Sequence, residues 1–312
     1  MHEHEPAVEL SSPQLDTTAA VIVTFHPKPG VADILLSLSV QVGAIIVVDN
    51  GSSPAELPAG GDPALRGRVE TIVNDENRGV GVALNQGLRR AMELGFAWAL
   101  TLDQDSSPLA NLVAAGARAF EAHSEPKRLA AIGAAVVGAA EPAAEPDDAY
   151  RRMPAVITSG TLYSIAAWER LGGFREDYFI DCVDTEFCLR ARARGLDVVQ
   201  ATEPALVHAI GAPTRKRALG RWMMPTNHSP LRRYYMTRNR ISLWRTYARS
   251  DGRFVLGDMR QSVREWIGIA FAETDRIVKL RAILAGLRDG MLGRYGPRRQ
   301  PKSPSRPAGQ RG

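Results

Sequence analysis

The sequence is poor in cysteine, has no long apolar run, and lacks acids over two long stretches. Each absence excludes something. Cys182 and Cys188 are the only cysteines among 312 residues. Two thiols six apart build no disulfide framework and make a poor zinc site. They suit small buried side chains in a reducing compartment. The longest mild apolar run, Leu129–Ala140, is rich in Ala and Gly. Nothing approaches the ~18 residues that cross a bilayer. The first eighteen residues are polar and acidic, without the apolar core of a signal segment. The expectation is a soluble or peripheral protein.

Asp and Glu are missing from Pro204–Ser250 and from 290–312. The first stretch holds ten Lys/Arg and the second six. The remainder has 23 of the 39 Lys/Arg against all 34 Asp/Glu, a net of −11. The overall charge of +5 therefore describes neither part. Hydrophobic residues at 45% and charged residues at 23% match a globular chain and exclude a fibrous or disordered one. At ~150 residues per domain, the length suggests about two domains, or one large α/β domain.

From Ala19 to Ala201, β-branched runs alternate with helical stretches. AAVIVTF (19–25), GAIIVVD (43–49), VETIVN (69–74) and FAWALTLD (96–103) read as strands. Gly30–Val40 and Val80–Leu94 read as helices. In the second, Val80, Leu84, Leu88 and Ala91 share one face, while Asn85, Arg89 and Arg90 face elsewhere. Such alternation predicts an α/β fold with a Rossmann-like, mostly parallel sheet flanked by helices. EPAAEPDD, around 142–146, reads as a surface loop. A helix is expected over Asp184–Arg194 and a strand over Asp197–Ala201. Arg-rich helices are expected over Leu231–Arg249, Gln261–Ala272 and Thr274–Met291. The implied layout is a disordered tail 1–18, a nucleotide-binding and catalytic domain 19–210, a basic helical region 211–293 and a disordered tail 294–312.

In doubly wound sheets, ligands bind beyond the carboxyl ends of the strands. Those ends are polar here: Thr24-Phe25-His26, Asp49-Asn50-Gly51, Asn77-Arg78-Gly79 and Asp103-Gln104-Asp105. In extended chain, i and i+2 point the same way. Asp103 and Asp105 would then form half of an oxygen site for Mg²⁺ or Mn²⁺, completed by substrate phosphates. An Asp/Ser-rich turn with a helix cap is the structural alternative. Asp49, ending an apolar strand, suits a ribose or base, or simply a turn. Asp181, Asp184 and Glu186 crowd the mouth of a predicted helix. One of them would act as general base toward a sugar hydroxyl. His208 is either structural or an extra metal ligand.

Taken in order, VTFHP, VVDNGS, NRGVGVALNQG, LTLDQDS, SGTLYS, GGFREDYFIDCVDTEFCLRARARG and VHAIG closely resemble family 2 glycosyltransferases of the GT-A fold. LTLDQDS, FIDCVDTEF and RRYYMTRNRI resemble the rhamnosyltransferase branch. The resemblance spans about 19–293. It implies inverting, metal-dependent transfer of L-rhamnose from dTDP-L-rhamnose to a glycan or lipid-linked acceptor, in cell-surface polysaccharide synthesis. It implies Asp184 as base, supported by Asp181 and Glu186, and Asp103, Asp105 and His208 at the metal. Donor contacts are implied for Thr24, Phe25, His26, Asp49, Asn77, Arg78, Gly79, Asn85, Asp103, Gln104, Ser159, Gly160 and Arg238. Where many members carry Glu-Asp, this chain has Val183-Asp184, so the base rests on one acid. The rival readings are a transferase of another nucleotide sugar, such as UDP-galactofuranose, and an inactive glycan- or lipid-binding scaffold. A nucleotidyltransferase would need a Gly-rich basic loop after the first strand, which His26-Pro27-Lys28-Pro29-Gly30 matches poorly.

In the basic stretch, Trp222, Tyr234, Tyr235, Trp244 and Tyr247 interleave with arginines. No nucleic-acid-binding module is recognisable, so nucleic acid is not an expected partner. Arginines with interfacial aromatics suit an anionic membrane surface. Arg232–Arg240 are expected to border the active site, with Arg215–Arg221 and the helices facing lipid. The expected location is cytoplasmic, peripheral on the inner face of a bacterial cytoplasmic membrane.

Overall fold

The computed structural model describes residues 10–27, 30–53, 65–138, 148–208, 216–218, 221–223 and 227–298, with side chains for all but 208, 216–218 and 221–223. The four apolar runs become β1 (Thr18–Thr24), β2 (Ala44–Asp49), β3 (Val69–Val73) and β4 (Trp98–Asp103). They pair in parallel, in the order β3-β2-β1-β4. The helices α1 (Val31–Ser39) and α2 (Val80–Glu93) fall where periodicity puts them.

Then follow β5 (Ser106–Pro108), α3 (Leu112–Glu121), β6 (Leu129–Val136), β7 (Tyr150–Arg152), β8 (Thr161–Ser164), α4 (Ile165–Leu171), α5 (Val183–Ala193) and β9 (Asp197–His208). The sheet continues β4-β8-β6-β9-β5, with β7 on β9. Here β8 runs antiparallel to β4 and β6, and β5 and β7 run antiparallel to β9. One half of the sheet is therefore parallel and the other half mixed. Parallel neighbours need a long crossover, usually a helix. The short runs at β5, β7 and β8 pair without one and were invisible to an argument built on βαβ repeats.

Alternate strand residues go to opposite faces. Val21, Ile46 and Val48 pack with Leu84, Leu88 and Phe187 on one face. Ile22, Ile45 and Val47 pack with Leu35, Leu100 and Leu112 on the other. Each fully buried aliphatic side chain contributes about 1.5–3 kcal/mol. A one-residue slip would turn all of them over, so register is strongly fixed.

The chain ends in a hairpin of β10 (Lys216–Ala218) and β11 (Arg221–Met223), then α6 (Pro230–Tyr247), α7 (Gly252–Ala272) and α8 (Arg276–Met291). Ser229 caps α6, its hydroxyl accepting from Arg232 N, and Pro230 sits at the first helical position. These helices are not detached. Leu243, Tyr247 and Val255 join the core beside α2 and α5. The expected tails are also shorter than read. Trp98 Nε1 donates to Ser11 O at 2.7 Å, and Leu10 packs on the core. Arg298 N donates to the Tyr235 hydroxyl at 2.7 Å. Residues 1–9, the 142–146 loop and 299–312 lie outside the described residues. Among the described residues no helix is long and apolar enough to cross a membrane.

Candidate active site

The carboxyl ends of β1, β2 and β4 meet the segment before β8 and the first turn of α5. Thr158 N and Oγ1 donate to Asp184 Oδ2 at 3.0 and 3.3 Å. Thr185 N donates to Asp184 Oδ1 at 2.7 Å. The next residue along, Ser159, accepts at Oγ from Asp103 N (3.1 Å) and donates to Ser106 Oγ (2.6 Å). Two consecutive residues thus tie the candidate base to the end of β4. Gly160 follows with φ +77°, and a Cβ there would lie 2.9 Å from Leu206 Cδ2, so only glycine fits.

Gln104 joins β4 to β1. Its Oε1 accepts from Phe25 N at 2.8 Å, and its Nε2 donates to Phe25 O at 3.1 Å. This side chain braces the β1 end. The extended backbone assumed for Asp103 and Asp105 ends at Asp103, because Gln104-Asp105 is a turn. The two carboxylates lie at the strand end and in the turn. Asp105 is exposed and makes no hydrogen bond or ion pair among the described residues. The backbone of His208 pairs with Ser106, beside that turn, and its side chain lies outside the described residues. Among the described residues no three His, Cys, Asp or Glu group to hold an ion. Two hard carboxylates fit Mg²⁺ or Mn²⁺ as a partial shell that phosphate oxygens and water complete.

Phe25 is 42% exposed, its ring 4.3 Å from that of His26. His26 N donates to Ser52 Oγ at 2.8 Å. Across the cleft edge, Asn50 Nδ2 and Gly79 N both donate to Asn77 Oδ1, at 3.1 and 2.9 Å. Arg78 N donates to Asn50 Oδ1 at 3.0 Å, leaving the Arg78 side chain exposed. Gly79 has φ +90°, and a Cβ would sit 2.7 Å from Phe179 O. This close approach holds α2 against the loop that precedes α5.

Several expected ligands are instead fasteners. Asp49 is fully buried, accepting from Thr24 Oγ1 (2.9 Å), Ser52 Oγ (2.6 Å), Ser52 N (2.8 Å) and Gly51 N (3.2 Å). A carboxylate has about four lone-pair sites. Asp49 therefore builds the turn and has no lone pair left for ribose, and Thr24 spends its hydroxyl proton on Asp49. Asn85 was expected to face away from the apolar side of α2, yet it is buried. Its Oδ1 accepts from Trp168 Nε1 and Phe174 N, and its Nδ2 donates to Phe174 O and Glu176. Asn85→Ala is expected to cost about 3 kcal/mol by orphaning these buried groups. The denaturant midpoint reads this, and an unchanged midpoint would contradict the bracing role. Glu186 is also buried, paired with Arg190 at 2.8 Å and accepting from the Tyr247 hydroxyl at 2.8 Å. It supports α5 and α6 rather than an acceptor.

Arg238 is buried as well. It donates to the carbonyls of Asp177, Tyr178 and Gly296, at 3.1, 2.8 and 2.6 Å. Its neighbour Asn239 donates to the carbonyls of Tyr178, Ile180 and Asp181 at 2.9–3.1 Å. Together they clamp a loop in which Phe179, Asp181 and Cys182 have φ of 66°, 64° and 63°. Such backbone costs of order 1–3 kcal/mol per residue and persists only when its surroundings hold it. Sequence reasoning missed Thr158, Asn50 and Asn239. Thr158 adjoins the SGTLYS motif, but only its partner Asp184 marks its role. Asp181, in the clamped loop, pairs with Arg232 at 3.0 Å. Burial pushes its carboxyl up, against the pull of Arg232, and the neighbouring Asp184 charge adds to the rise.

The basic stretch changes meaning in space. Arg233 pairs with Glu273 at 2.6 Å and Arg240 with Glu265 at 2.8 Å. Arg245 donates to the Met291 carbonyl at 2.7 Å. Tyr234, Tyr235 and Tyr247 are buried, and Trp244 Nε1 donates to Asp258 at 2.7 Å. The aromatics of α6 are core, not a lipid belt. The side chains of Trp222 and Arg215–Arg221 lie outside the described residues. Of the two thiols expected to be buried, Cys188 is buried and Cys182 half-buried, and burial pushes both up, Cys188 to about 12.

The sequence and the fold are similar to those of known glycosyltransferases. Residues 19–130 match the model of glycosyl transferase family 2. The dTDP-rhamnosyl transferase RfbF of Shigella flexneri is 28% identical over 244 residues, covering 72% of this chain and 79% of the relative. The mannosyltransferase PcManGT from Pyrobaculum calidifontis, solved with GDP-Man and Mn²⁺, has a TM-score of 0.55 at 16% identity, over 93% of this chain and 79% of that one. GalNAc-T7, solved with UDP, GalNAc and Mn²⁺, has a TM-score of 0.54 at 16% identity, over 72% of this chain and 47% of that one. These two likenesses concern the fold. The fold is that of GT-A glycosyltransferases, residues 19–130 are similar to the family 2 glycosyltransferase domain, and the chain as a whole is similar to a dTDP-rhamnosyl transferase.

Proposed function

We propose that the protein transfers L-rhamnose from dTDP-L-rhamnose, with inversion, to a glycan or lipid-linked acceptor. The observation that carries the mechanism is the Asp184–Thr158-Ser159–Asp103 bridge. It sets one oriented carboxylate beside the strand end that faces the donor. The donor assignment draws on the similarity to dTDP-rhamnosyl transferase RfbF.

Asp184 takes the proton of the acceptor hydroxyl as that oxygen forms its bond to the anomeric carbon. The bond from that carbon to the diphosphate oxygen breaks, and the electron pair leaves with the diphosphate. One displacement inverts the centre, so a β-linked donor gives an α-linked product. Asp103 and Asp105 would hold a divalent ion, with His208 as a third ligand, and the ion would neutralise charge developing on the diphosphate. Phe25 offers its exposed face to the base, and Arg78 its exposed guanidinium to the phosphates. The proposed location is the inner face of the cytoplasmic membrane, where a lipid-linked acceptor is presented.

The test is a panel of nucleotide sugars assayed for slow hydrolysis with Mg²⁺ or Mn²⁺, and again after chelation. dTDP-L-rhamnose is expected to be turned over fastest, and chelation to abolish turnover. Preference for another sugar nucleotide would overturn the donor. Full activity in chelator would overturn the metal.

A further inference from the structure

The helix α7 presents an apolar stripe to solvent. Leu256, Met259, Val263, Ile267 and Phe271 are 41–56% exposed. Their steps of three and four residues place them on one side of a helix. The stripe runs for about 22 Å at 1.5 Å per residue. The opposite side attaches the helix to the protein, burying Val255, Ser262 and Ile269. At the start of α8, Ile277 and Val278 are exposed as well, beyond a corner that carries the exposed Asp275.

The charges of α7 are sorted in the same way. Asp258 and Glu265 turn inward to Trp244 and Arg240 on α6. Arg253, Arg260 and Arg264 are exposed and fall along one edge of the stripe. No carboxylate of α7 is exposed. The outer side is thus apolar with cations only.

We infer that the outer face of α7 is a docking surface for an anionic phospholipid leaflet, lying parallel to the membrane with its five apolar side chains at the headgroup–acyl boundary. Charge complementarity selects this occupant. A second copy would bring the same cation-only face, with no acid on α7 to meet the arginines. An anionic leaflet supplies both the phosphates and the apolar boundary. The inference rests on the membrane location proposed above, but not on the identity of the donor sugar. It moves the contact from the aromatics of α6, which are buried, to α7.

The test is co-sedimentation of the full chain with phosphatidylglycerol or phosphatidylcholine vesicles. Binding is expected to phosphatidylglycerol only, and to weaken with salt. The double variant Ile267→Asp/Phe271→Asp changes only exposed positions. It is expected to lose at least about tenfold in vesicle partitioning, and Arg260→Gln/Arg264→Gln to lose several-fold. Both variants should keep the far-ultraviolet circular dichroism and the slow hydrolysis of soluble donor. Absence of vesicle binding by the unaltered chain would overturn the inference, as would undiminished binding by the Asp variant. A dimer in vesicle-free sedimentation that the Asp variant abolishes would assign the stripe to a second copy instead. Loss of donor hydrolysis without loss of vesicle binding would count against the transfer reading and leave the docking surface standing.

Discussion

Asp184→Asn is expected to lower transfer by about 10²–10⁴ while donor binding survives. The amide keeps the size of the carboxylate but cannot accept the acceptor proton. Its surroundings also make the change informative about structure. Both carboxylate oxygens accept from backbone N–H groups, of Thr158 and Thr185. An amide must turn its NH₂ toward one of them, which forfeits a hydrogen bond and costs about 1–2 kcal/mol of stability. Transfer assays, donor titration and a denaturation curve together separate these effects. If transfer survives, Asp181 is the remaining acid at the loop. Glu186 is no longer a rival, because Arg190 and Tyr247 already occupy its oxygens.

Asp105→Ala is expected to weaken metal-dependent binding of dTDP by about 10²-fold or more, in line with the several kcal/mol a bound cation contributes to phosphate charge. Calorimetry with and without Mn²⁺ reads this directly. The fold should not notice the change, since Asp105 is exposed and makes no hydrogen bond or ion pair among the described residues. Exposed substitutions of this kind usually stay within about 0.5 kcal/mol. Unchanged dTDP binding in the presence of metal would remove Asp105 from the site. The contrast with Asp49 is instructive. Both are aspartates in polar motifs, Asp49 ending β2 and Asp105 in the turn after β4. Asp49 is buried under four donors, so Asp49→Ala should unfold the turn before it says anything about ligand.

The parallel half of the fold was legible because it follows periodicity. β1 to β4 and α1 and α2 lie within two residues of where the apolar pattern puts them. The antiparallel strands β5, β7 and β8 are three or four residues long, too short to show a period. The site was legible as a set of strand ends and motifs, but its division of labour was not. Asn85 looked like a polar position on a solvated helix side and is a buried bracket. Arg238 looked like a donor contact and is a clamp on the carbonyls of Asp177, Tyr178 and Gly296. The basic block looked unneutralised because its acids, Asp181, Asp258, Glu265 and Glu273, lie outside the Pro204–Ser250 stretch.

The sequence by itself determined the α/β class, the polar strand ends, the carboxylate pair at the end of β4 and the acids at the mouth of α5. Local pattern suffices for these, since helix and strand periods and strand-end chemistry are short-range properties. Only the tertiary structure decided which acids and cations remain available. A carboxylate or guanidinium has a fixed number of hydrogen-bonding sites, and partners distant in sequence fill them. Asp49, Glu186 and Arg238 are filled from within the fold. Asp105, Arg78 and the outer arginines of α7 keep their charge toward solvent, and Asp184 is held in place by Thr158, a residue that no pattern in the sequence connects to it.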